Sequence, residues 1–373
     1  MILFVLLIIL TITSDLIFKN ETKKNRLAIV CVNFSIICFL LMFKGRTVGN
    51  DTEAYIRLFG YAKNFSISTL IKMEGRYEIG FLLFIKVFSY YFDYQVLFAI
   101  VGLFVSFSFG RYIYKYSKRP AFSILAFYTL QFFDLSMSGL RQIIAISILL
   151  YAFDFLLRRK PLYFIVIVVI ASLFHTSSLL FLIAYPLCNK ERKNMFYLIS
   201  LFAFIFVFAL FDNIVIPIVS RFLPQYLKYF SETGNSYSNS LTLASLLMTI
   251  VFGTLFMFTK YVENTNKEVI RSLNLERYRL NYINDIVLWL GFLMLILSWN
   301  GTILTRYKYV FSFAVLISLP NSIYMIRNKK EKIFFSVLIS SCLIAYILVI
   351  YIFRPEWQST FPYTPFWKEG GIL

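Results

Sequence analysis

The chain has 373 residues, of which 59% are hydrophobic and 20% aromatic, and its mean hydropathy is +0.73. So few polar residues cannot cover a water-soluble globule of this length, and we therefore predict a polytopic membrane protein. The formal net charge of +18 does not indicate nucleic-acid binding, because most Lys and Arg residues fall in short clusters between apolar runs. In a membrane protein, such clusters mark cytoplasmic loops.

The apolar runs predict helices. They are continuous over about 15 to 20 residues, whereas the strands of a membrane barrel alternate over roughly ten. We predict an all-α polytopic bundle of about 10–12 membrane segments, some of them re-entrant, in one domain over residues 1–373. Residues 1–13 have no basic segment before them and no small-residue cleavage site, so we interpret them as the first span.

Taken in chain order, the basic clusters give an orientation. Residues 19–26 place the first connection in the cytoplasm, and residues 27–43 then rise to a polar outer loop at residues 44–76. Further complete spans are predicted at residues 142–157, 195–211, 241–259, 285–299, 307–326 and 333–352. A second outer loop is predicted at residues 212–240. With this assignment, every basic cluster after residue 150 lies inside.

Three apolar runs lie between residues 77 and 133, at about 77–92, 95–114 and 120–133. The segments before and after them both belong outside, which requires an even number of crossings. The basic residues 115–119 belong inside. Either one of the three runs is re-entrant, or residues 45–76 are cytoplasmic. We interpret the short run 77–92 as a partial span.

The only histidine, His175, lies in the apolar stretch 162–188, which has basic clusters at both ends. A single crossing would place one of these two basic clusters outside, against the rule that basic clusters lie in the cytoplasm. We therefore predict a re-entrant hairpin with His175 at its tip. Each arm would hold about 13 residues, roughly 20 Å of helix, which is shorter than the roughly 30 Å hydrocarbon core. An ionisable side chain at membrane depth indicates function.

Polar residues cluster where spans meet the outer face. Asp51 stands four residues before Tyr55, where its carboxylate can act as a general base or orient a sugar hydroxyl. The alternative is a helix cap with an interfacial tyrosine. Glu78 opens an apolar run close to Arg76; it is a candidate catalytic carboxylate or one half of an internal ion pair.

Arginines occur at two of these outer boundaries. Arg141, followed by Gln142, begins an inward span after several small residues, and a guanidinium there can bind pyrophosphate in bidentate fashion. Arg306 and Tyr307 form a similar pair at the outer start of the later span predicted at residues 307–326. The alternatives are snorkelling to headgroups and an interface belt. Two arginines at one outer cavity, with His175 rising toward it, would neutralise a polyprenyl-pyrophosphate leaving group. One histidine and scattered carboxylates have no metal-ligand spacing, so we predict no metal.

In their order and spacing, these pieces resemble the EpsG family of Wzy-like polysaccharide polymerases. The resemblance covers about residues 45–310, and its most specific part is an Arg-Gln pair followed some thirty residues later by Phe-His-Thr-Ser. The matching pieces are Arg46 with Gly49, Asn50, Asp51 and Tyr55; residues 78–81; residues 138–142 with Ala145; residues 171–179; and residues 305–307.

The resemblance implies a GT-C-like glycosyltransferase that needs no cofactor. Such an enzyme polymerises O-antigen, capsule or exopolysaccharide repeat units on undecaprenyl pyrophosphate at the outer face of the bacterial plasma membrane. It also implies an upstream flippase and a chain-length regulator as partners. By position, Arg141, His175 and Arg306 match recurrent polar residues of the family, and Asp51 and Glu78 match less closely.

Two other functions are considered. A lipid-linked oligosaccharide transporter would also need a cavity lined with arginines, but the sequence shows no repeated halves. A membrane O-acyltransferase would use a lone intramembrane histidine, but it would leave Asp51 and Tyr55 unexplained. Residues 212–240 match nothing in the family, and we assign them to repeat-unit specificity.

Overall fold

The computed structural model describes residues 2–19, 22–73, 77–222, 243–272, 274–300 and 302–368. Apart from short 3-10 turns and one isolated bridge between Lys44 and Pro365, regular structure in these residues is α-helical. The all-α prediction is therefore confirmed. The helices are α1 (Ile2–Phe18), α2 (Lys23–Met42), α3 (Thr52–Asn64), α4 (Ile67–Met73), α5 (Ile79–Tyr91), α6 (Tyr94–Tyr116), α7 (Pro120–Thr129), α8 (Phe132–Ser138), α9 (Leu140–Leu157), α10 (Pro161–Ser172), α11 (Ala184–Leu187), α12 (Asn194–Ala209), α13 (Phe211–Phe222), α14 (Leu243–Thr265), α15 (Lys267–Arg271), α16 (Leu275–Leu297), α17 (Tyr309–Ser312), α18 (Val315–Met325) and α19 (Lys329–Phe353).

Within the described ranges, six helices are long and apolar enough to cross a bilayer: α2, α6, α9, α14, α16 and α19. Each has at least 18 residues, close to the roughly 20 needed to span the hydrocarbon core. A further pair, α12 and the start of α13, is bent by 82° at Leu210 and forms a broken span or a re-entrant loop. These features confirm a polytopic membrane bundle with irregular segments.

The chain divides into two compact units. Unit 1 contains residues 1–179 and 327–373, and unit 2 contains residues 180–326. The boundary falls just after the break at His175, where α10 has ended and a 3-10 segment, Thr176–Ile183, begins. That a single domain covers the whole chain stays a prediction.

In unit 1, basic residues gather at one end, which we call the basic end. Arg26 Nη1 at the start of α2 donates to the Ser117 carbonyl at the end of α6 (3.2 Å). Arg119 Nη1 donates to Ser336 Oγ in the first turns of α19 (2.7 Å). The starts of α2 and α19 therefore lie close to the end of α6. This grouping agrees with the rule that basic clusters share the cytoplasmic side.

The opposite end of unit 1 carries Arg141, and we call it the site end. Both ends of α5 lie there. Glu78, just before α5, contacts Arg141 at the start of α9. Just after α5, the Gln95 side chain donates to the Met42 carbonyl at the end of α2. The 13-residue α5 therefore does not cross the unit, in agreement with a partial span at residues 77–92.

The next crossing is made by two short helices. Helix α7 starts at the basic end beside Ser117, and α8 ends at Ser138 beside Arg141. Between them Gln131 adopts the left-handed conformation (φ 67°), which interrupts the helix. Together α7 and α8 return the chain from the basic end to the site end, so two passes through unit 1, α6 and α7–α8, separate α5 from α9.

Several connections contain more helix than the sequence suggested. The predicted outer loop at residues 44–76 contains α3 and α4, and α13 occupies the first part of the loop predicted at residues 212–240. Residues 74–76 and 223–242 lie outside the described residues, so Arg76 and most of the second loop do as well.

In unit 2, the span predicted at residues 285–299 begins ten residues earlier, as α16. Its buried Asp285 accepts from Lys260 Nζ of α14 (2.8 Å), which also contacts Glu263 (2.5 Å). In this triad, Lys260 pairs with a carboxylate on each of the two helices, and Asn281 of α16 donates a further hydrogen bond to Glu263.

Candidate functional site

Arg141 is the centre of a cluster at the site end of unit 1. Its Nη1 atom donates to Glu78 Oε2 at 2.6 Å, and its guanidinium lies over the Tyr77 ring, 4.7 Å from the centroid. It also hydrogen-bonds the phenol oxygen of Tyr55. Only 18% of the Arg141 side chain and 13% of the Glu78 side chain are exposed. The guanidinium is thus fixed in one plane rather than extended toward headgroups.

Glu78 joins Arg141 to the turn that contains His175. Its second oxygen, Oε1, accepts from the Thr176 backbone N–H at 3.0 Å and from the Thr176 hydroxyl at 3.3 Å. Although Glu78 precedes α5 in extended conformation, its side chain makes no capping hydrogen bond to that helix. The carboxylate therefore connects residues that are distant in sequence through charge-assisted hydrogen bonds.

A glycine allows α5 to reach this turn. An added Cβ at Gly80 would lie 2.6 Å from Leu173 Cβ and 2.7 Å from the Leu173 carbonyl oxygen. The same carbonyl accepts from the Phe81 N–H at 3.2 Å. The Glu-Ile-Gly-Phe motif at residues 78–81 is thus explained by close backbone contact with the turn before His175.

A second glycine fixes the loop before α3. Gly49 has φ +89°, and an added Cβ would lie 2.3 Å from the Met137 carbonyl oxygen. The same carbonyl accepts from the fully buried Lys44 ammonium, which also donates to Thr52 Oγ1 (2.9 Å). Burial lowers the pKa of Lys44 to about 7, while the nearby Asp51 carboxylate opposes the shift. The loop is thereby held against the residues that precede Arg141.

Asp51 and Tyr55 lie one turn apart at the start of α3. The Tyr55 side chain is buried, and its ring packs against Phe81 with centroids 5.4 Å apart. Burial raises the pKa of Tyr55 to about 12; Arg141 opposes this shift and Asp51 adds to it. Tyr55 is therefore neutral at physiological pH. The Asp51 side chain makes no capping hydrogen bond, which argues against the cap alternative.

The contacts of His175 assign its tautomer. Its Nδ1 atom accepts from the Ser177 backbone N–H at 3.3 Å and lies 2.9 Å from the Ser177 hydroxyl. Because a backbone N–H only donates, Nδ1 is unprotonated and the neutral ring carries its proton on Nε2. In this state Nε2 is a hydrogen-bond donor rather than a base. The side chain is half-buried.

The other predicted site residues have different environments. Arg46 forms a bidentate pair with Glu53 (Nη2 to Oε1 3.0 Å, Nε to Oε2 3.2 Å), and about two fifths of each side chain is exposed. Gln142 is buried in α9. Arg306 and Tyr307 belong to unit 2, on the 3-10 turn Thr302–Lys308, and Arg306 is exposed.

Sequence reasoning overlooked several of the contacts that form this cluster. Tyr77 was not identified as the stacking partner of Arg141, nor Lys44 as a buried cation, and Thr176 was quoted without a role. A signal existed for Thr176, since it follows the histidine within the Phe-His-Thr-Ser motif. For Tyr77 no local pattern separates a stacking aromatic from the many tyrosines of this chain.

The composition of the site favours polar and anionic ligands over metals. Across the residues that the structure describes, no three His, Cys, Asp or Glu side chains are grouped so as to hold a metal ion. An arginine, a neutral tyrosine, a histidine N–H and two carboxylates instead suit sugar hydroxyls and phosphate oxygens.

Comparison with known proteins relates this arrangement to a family. No curated protein and no solved structure matches the chain. The sequence model of the EpsG family matches residues 27–364, which include every residue of the Arg141 cluster and the turn at His175. The chain therefore belongs to the EpsG family, a Wzy-like family of the polymerase type.

Proposed function

We propose that this protein is a polysaccharide polymerase, a glycosyltransferase that joins lipid-linked repeat units at the outer face of a bacterial plasma membrane. The single observation that carries the proposal is the convergence of four separate family motifs on Arg141. Residues 49–55, 77–81, 138–142 and 173–177 all meet there through the contacts described above. The match over residues 27–364 supports the same class.

In the proposed reaction, the glycan leaves undecaprenyl pyrophosphate and is joined to a hydroxyl of a second lipid-linked repeat unit. A bond forms between the acceptor oxygen and the anomeric carbon, and the bond from that carbon to pyrophosphate breaks. The electron pair of the broken bond goes to the pyrophosphate, and the acceptor proton goes to a base. Charge therefore develops on the leaving group and must be stabilised.

Arg141 is the residue assigned to the leaving group. Tyr77 and Glu78 hold its guanidinium in a fixed plane, so little reorganisation is needed when pyrophosphate binds. Candidates for further substrate contacts remain Arg306 with Tyr307, Arg46, Arg76 and Gln142.

Asp51 is proposed as the base that accepts the proton of the acceptor hydroxyl. Its carboxylate makes no capping bond and lies one turn before Tyr55, which touches Arg141. Glu78 suits this role less well, because both of its oxygens accept hydrogen bonds from Arg141 and Thr176. His175 is proposed to donate from Nε2 to a phosphate or sugar oxygen.

The charge distribution of unit 1 supports an outer location for this chemistry. The connections at the basic end carry the clustered Lys and Arg residues, and Arg141 lies at the opposite end. With the basic end in the cytoplasm, the site end meets substrates that a flippase has already delivered.

The test is the surface glycan of a host strain in which this gene is deleted and then restored at matched membrane expression. Wild type and Arg57→Ala, a control at an exposed arginine of α3, should both produce the long polymer ladder. The deletion and Arg141→Ala should show a single attached repeat unit. A ladder in the deletion strain would reject polymerisation, and loss of even the single unit would indicate transport instead.

A further inference from the structure

A cavity lies at the site end of unit 1, between the helix pair α7–α8 and the segment that follows α19. Its volume is about 240 Å³, and residues 354–362 form one wall. Neither the motifs described above nor the proposed reaction uses it. The opposite wall contains Gln131, the residue that interrupts the helix, and Asp134, one turn further along. Non-helical backbone at membrane depth persists where it lines such a cavity.

The cavity wall is joined directly to the proposed site. Asn50 Nδ2 donates to the carbonyl oxygens of Glu356 (3.1 Å) and Trp357 (2.6 Å), and the Gly49 N–H donates to the Ser359 carbonyl at 2.9 Å. Gly49 also contacts the residues before Arg141. The Gly-Asn-Asp motif thus holds the cavity wall on one side and the Arg141 cluster on the other.

The floor of the cavity is fixed by a buried carboxylate. Asp134 is fully buried, and both of its oxygens accept from the Tyr351 hydroxyl, at 2.9 and 3.0 Å. Thr360 hydrogen-bonds the same carboxylate. Asp134 therefore holds Tyr351 and Thr360 in place beneath the cavity and leaves ligand contacts to the other lining residues.

The remaining walls fit a polyol with apolar faces. Gln358 and Arg354 supply amide and guanidinium groups, and Trp357 supplies an aromatic ring. Aromatic rings pack against the C–H faces of pyranose rings, while amide and guanidinium groups bind their hydroxyl edges. The volume lies below the roughly 300–1,000 Å³ of pockets for drug-sized ligands, as expected for a site that takes a single sugar ring.

We propose that this cavity is a glycan subsite, which binds one sugar residue of the lipid-linked oligosaccharide while its pyrophosphate lies near Arg141. This inference rests on the proposed function for the identity of the oligosaccharide. Gln358 and Arg354 bind hydroxyl groups and Trp357 packs on the ring. The segment at residues 354–362 is therefore a specificity determinant, alongside the loop at residues 212–240.

The test measures glycan binding directly, with the full-length protein in lipid nanodiscs. The probe is the oligosaccharide repeat unit released from its lipid by mild acid, followed by saturation-transfer NMR and calorimetry. Wild type should bind, and Trp357→Ala and Gln358→Ala should each weaken binding by about tenfold, the loss expected for one good contact. Trp367→Ala is the matched control, because Trp367 lies five residues beyond this segment and packs on Phe43 outside the cavity. It should bind like wild type.

Equal binding by wild type and Trp357→Ala would overturn the subsite, as would an equal loss in Trp367→Ala. Size-exclusion profiles and thermal midpoints identify a variant that fails to fold, in which case Gln358→Ala alone decides. Arg141→Ala should keep oligosaccharide binding while losing polymer. A wild-type protein that binds no oligosaccharide, in a host whose deletion loses the ladder, overturns the subsite and leaves the proposed function standing. A deletion strain that keeps its ladder rejects the proposed function instead.

Discussion

Replacing Gly80 with alanine should displace Glu78 without changing any charged group. The new Cβ would lie 2.6 Å from Leu173 Cβ, whereas ordinary van der Waals contact begins at 3.4 Å. The start of α5 must therefore move by about 0.8 Å. Shifted by the same amount, the 3.0 Å contact from Thr176 N to Glu78 Oε1 becomes about 3.8 Å, which no longer counts as a hydrogen bond.

The expected consequence is a loss of activity larger than the loss of stability. A misplacement of about 1 Å in a catalytic arrangement costs up to roughly 100-fold in rate, and overpacking costs about 1–3 kcal/mol of stability. We therefore expect Gly80→Ala to shorten or abolish the polymer ladder at a membrane expression level close to that of wild type. Turnover of purified lipid-linked repeat units by the protein in nanodiscs gives the rate itself.

Gly60→Ala is the matched control, since an added Cβ at Gly60 in α3 meets nothing within 4 Å. Alanine is the better helix former there, so activity should be unchanged and the thermal midpoint equal or slightly higher. If Gly80→Ala polymerised as well as Gly60→Ala, the close contact with the turn before His175 would not position the site.

Three further predictions concern charged groups. Arg141→Lys should lose at least about tenfold in polymer formation, because an ammonium neither stacks on Tyr77 nor binds in bidentate fashion; a full ladder in this variant would contradict the proposed contact. The pKa of Lys44 in the folded protein is about 7, below its usual 10.5, so between these values the unfolded chain binds more protons than the folded one. The free energy of unfolding should therefore increase as pH rises from 7 toward 10, by up to about 1.4 kcal/mol per pH unit. Thermal midpoints of wild type and Lys44→Met across this range should diverge, and parallel curves would refute the assignment. Lys260→Met should destabilise the protein by about 3–5 kcal/mol, since it leaves two buried carboxylates without their cation; a thermal midpoint equal to that of wild type would show that the triad is not needed.

Local patterns in the sequence were enough to predict the helical class and several irregular features. Long apolar runs gave the spans, because a bilayer requires about 20 apolar residues with satisfied backbone groups. The short run at residues 77–92 and the break at His175 followed from charge clusters and length alone. Residues 51, 55, 78 and 141 were identified because polar residues cluster where spans meet the predicted outer face, and His175 because an ionisable side chain is costly at membrane depth.

Helix boundaries were less predictable where charges pair across helices. The start of α16 was placed ten residues late, because Asp285 and the basic residues before it resemble a loop when their partners are unknown. Lys260 and Glu263, on another helix, make that segment compatible with a buried helix. Pairing of this kind cannot be seen in a hydropathy profile.

The sequence by itself determined that this is a helical membrane protein with a few polar residues at the ends of its spans, since composition and periodicity are local properties. Only the tertiary structure decided which of those residues meet. Arg141 binds Glu78, 63 residues away, and Glu78 binds Thr176, 98 residues further along. Gly49 and Gly80 permit backbone contacts that no periodicity reports. The segment at residues 354–362 became significant only when folding placed it against Asp134 and Asn50, because a cavity is formed by surfaces from distant parts of the chain.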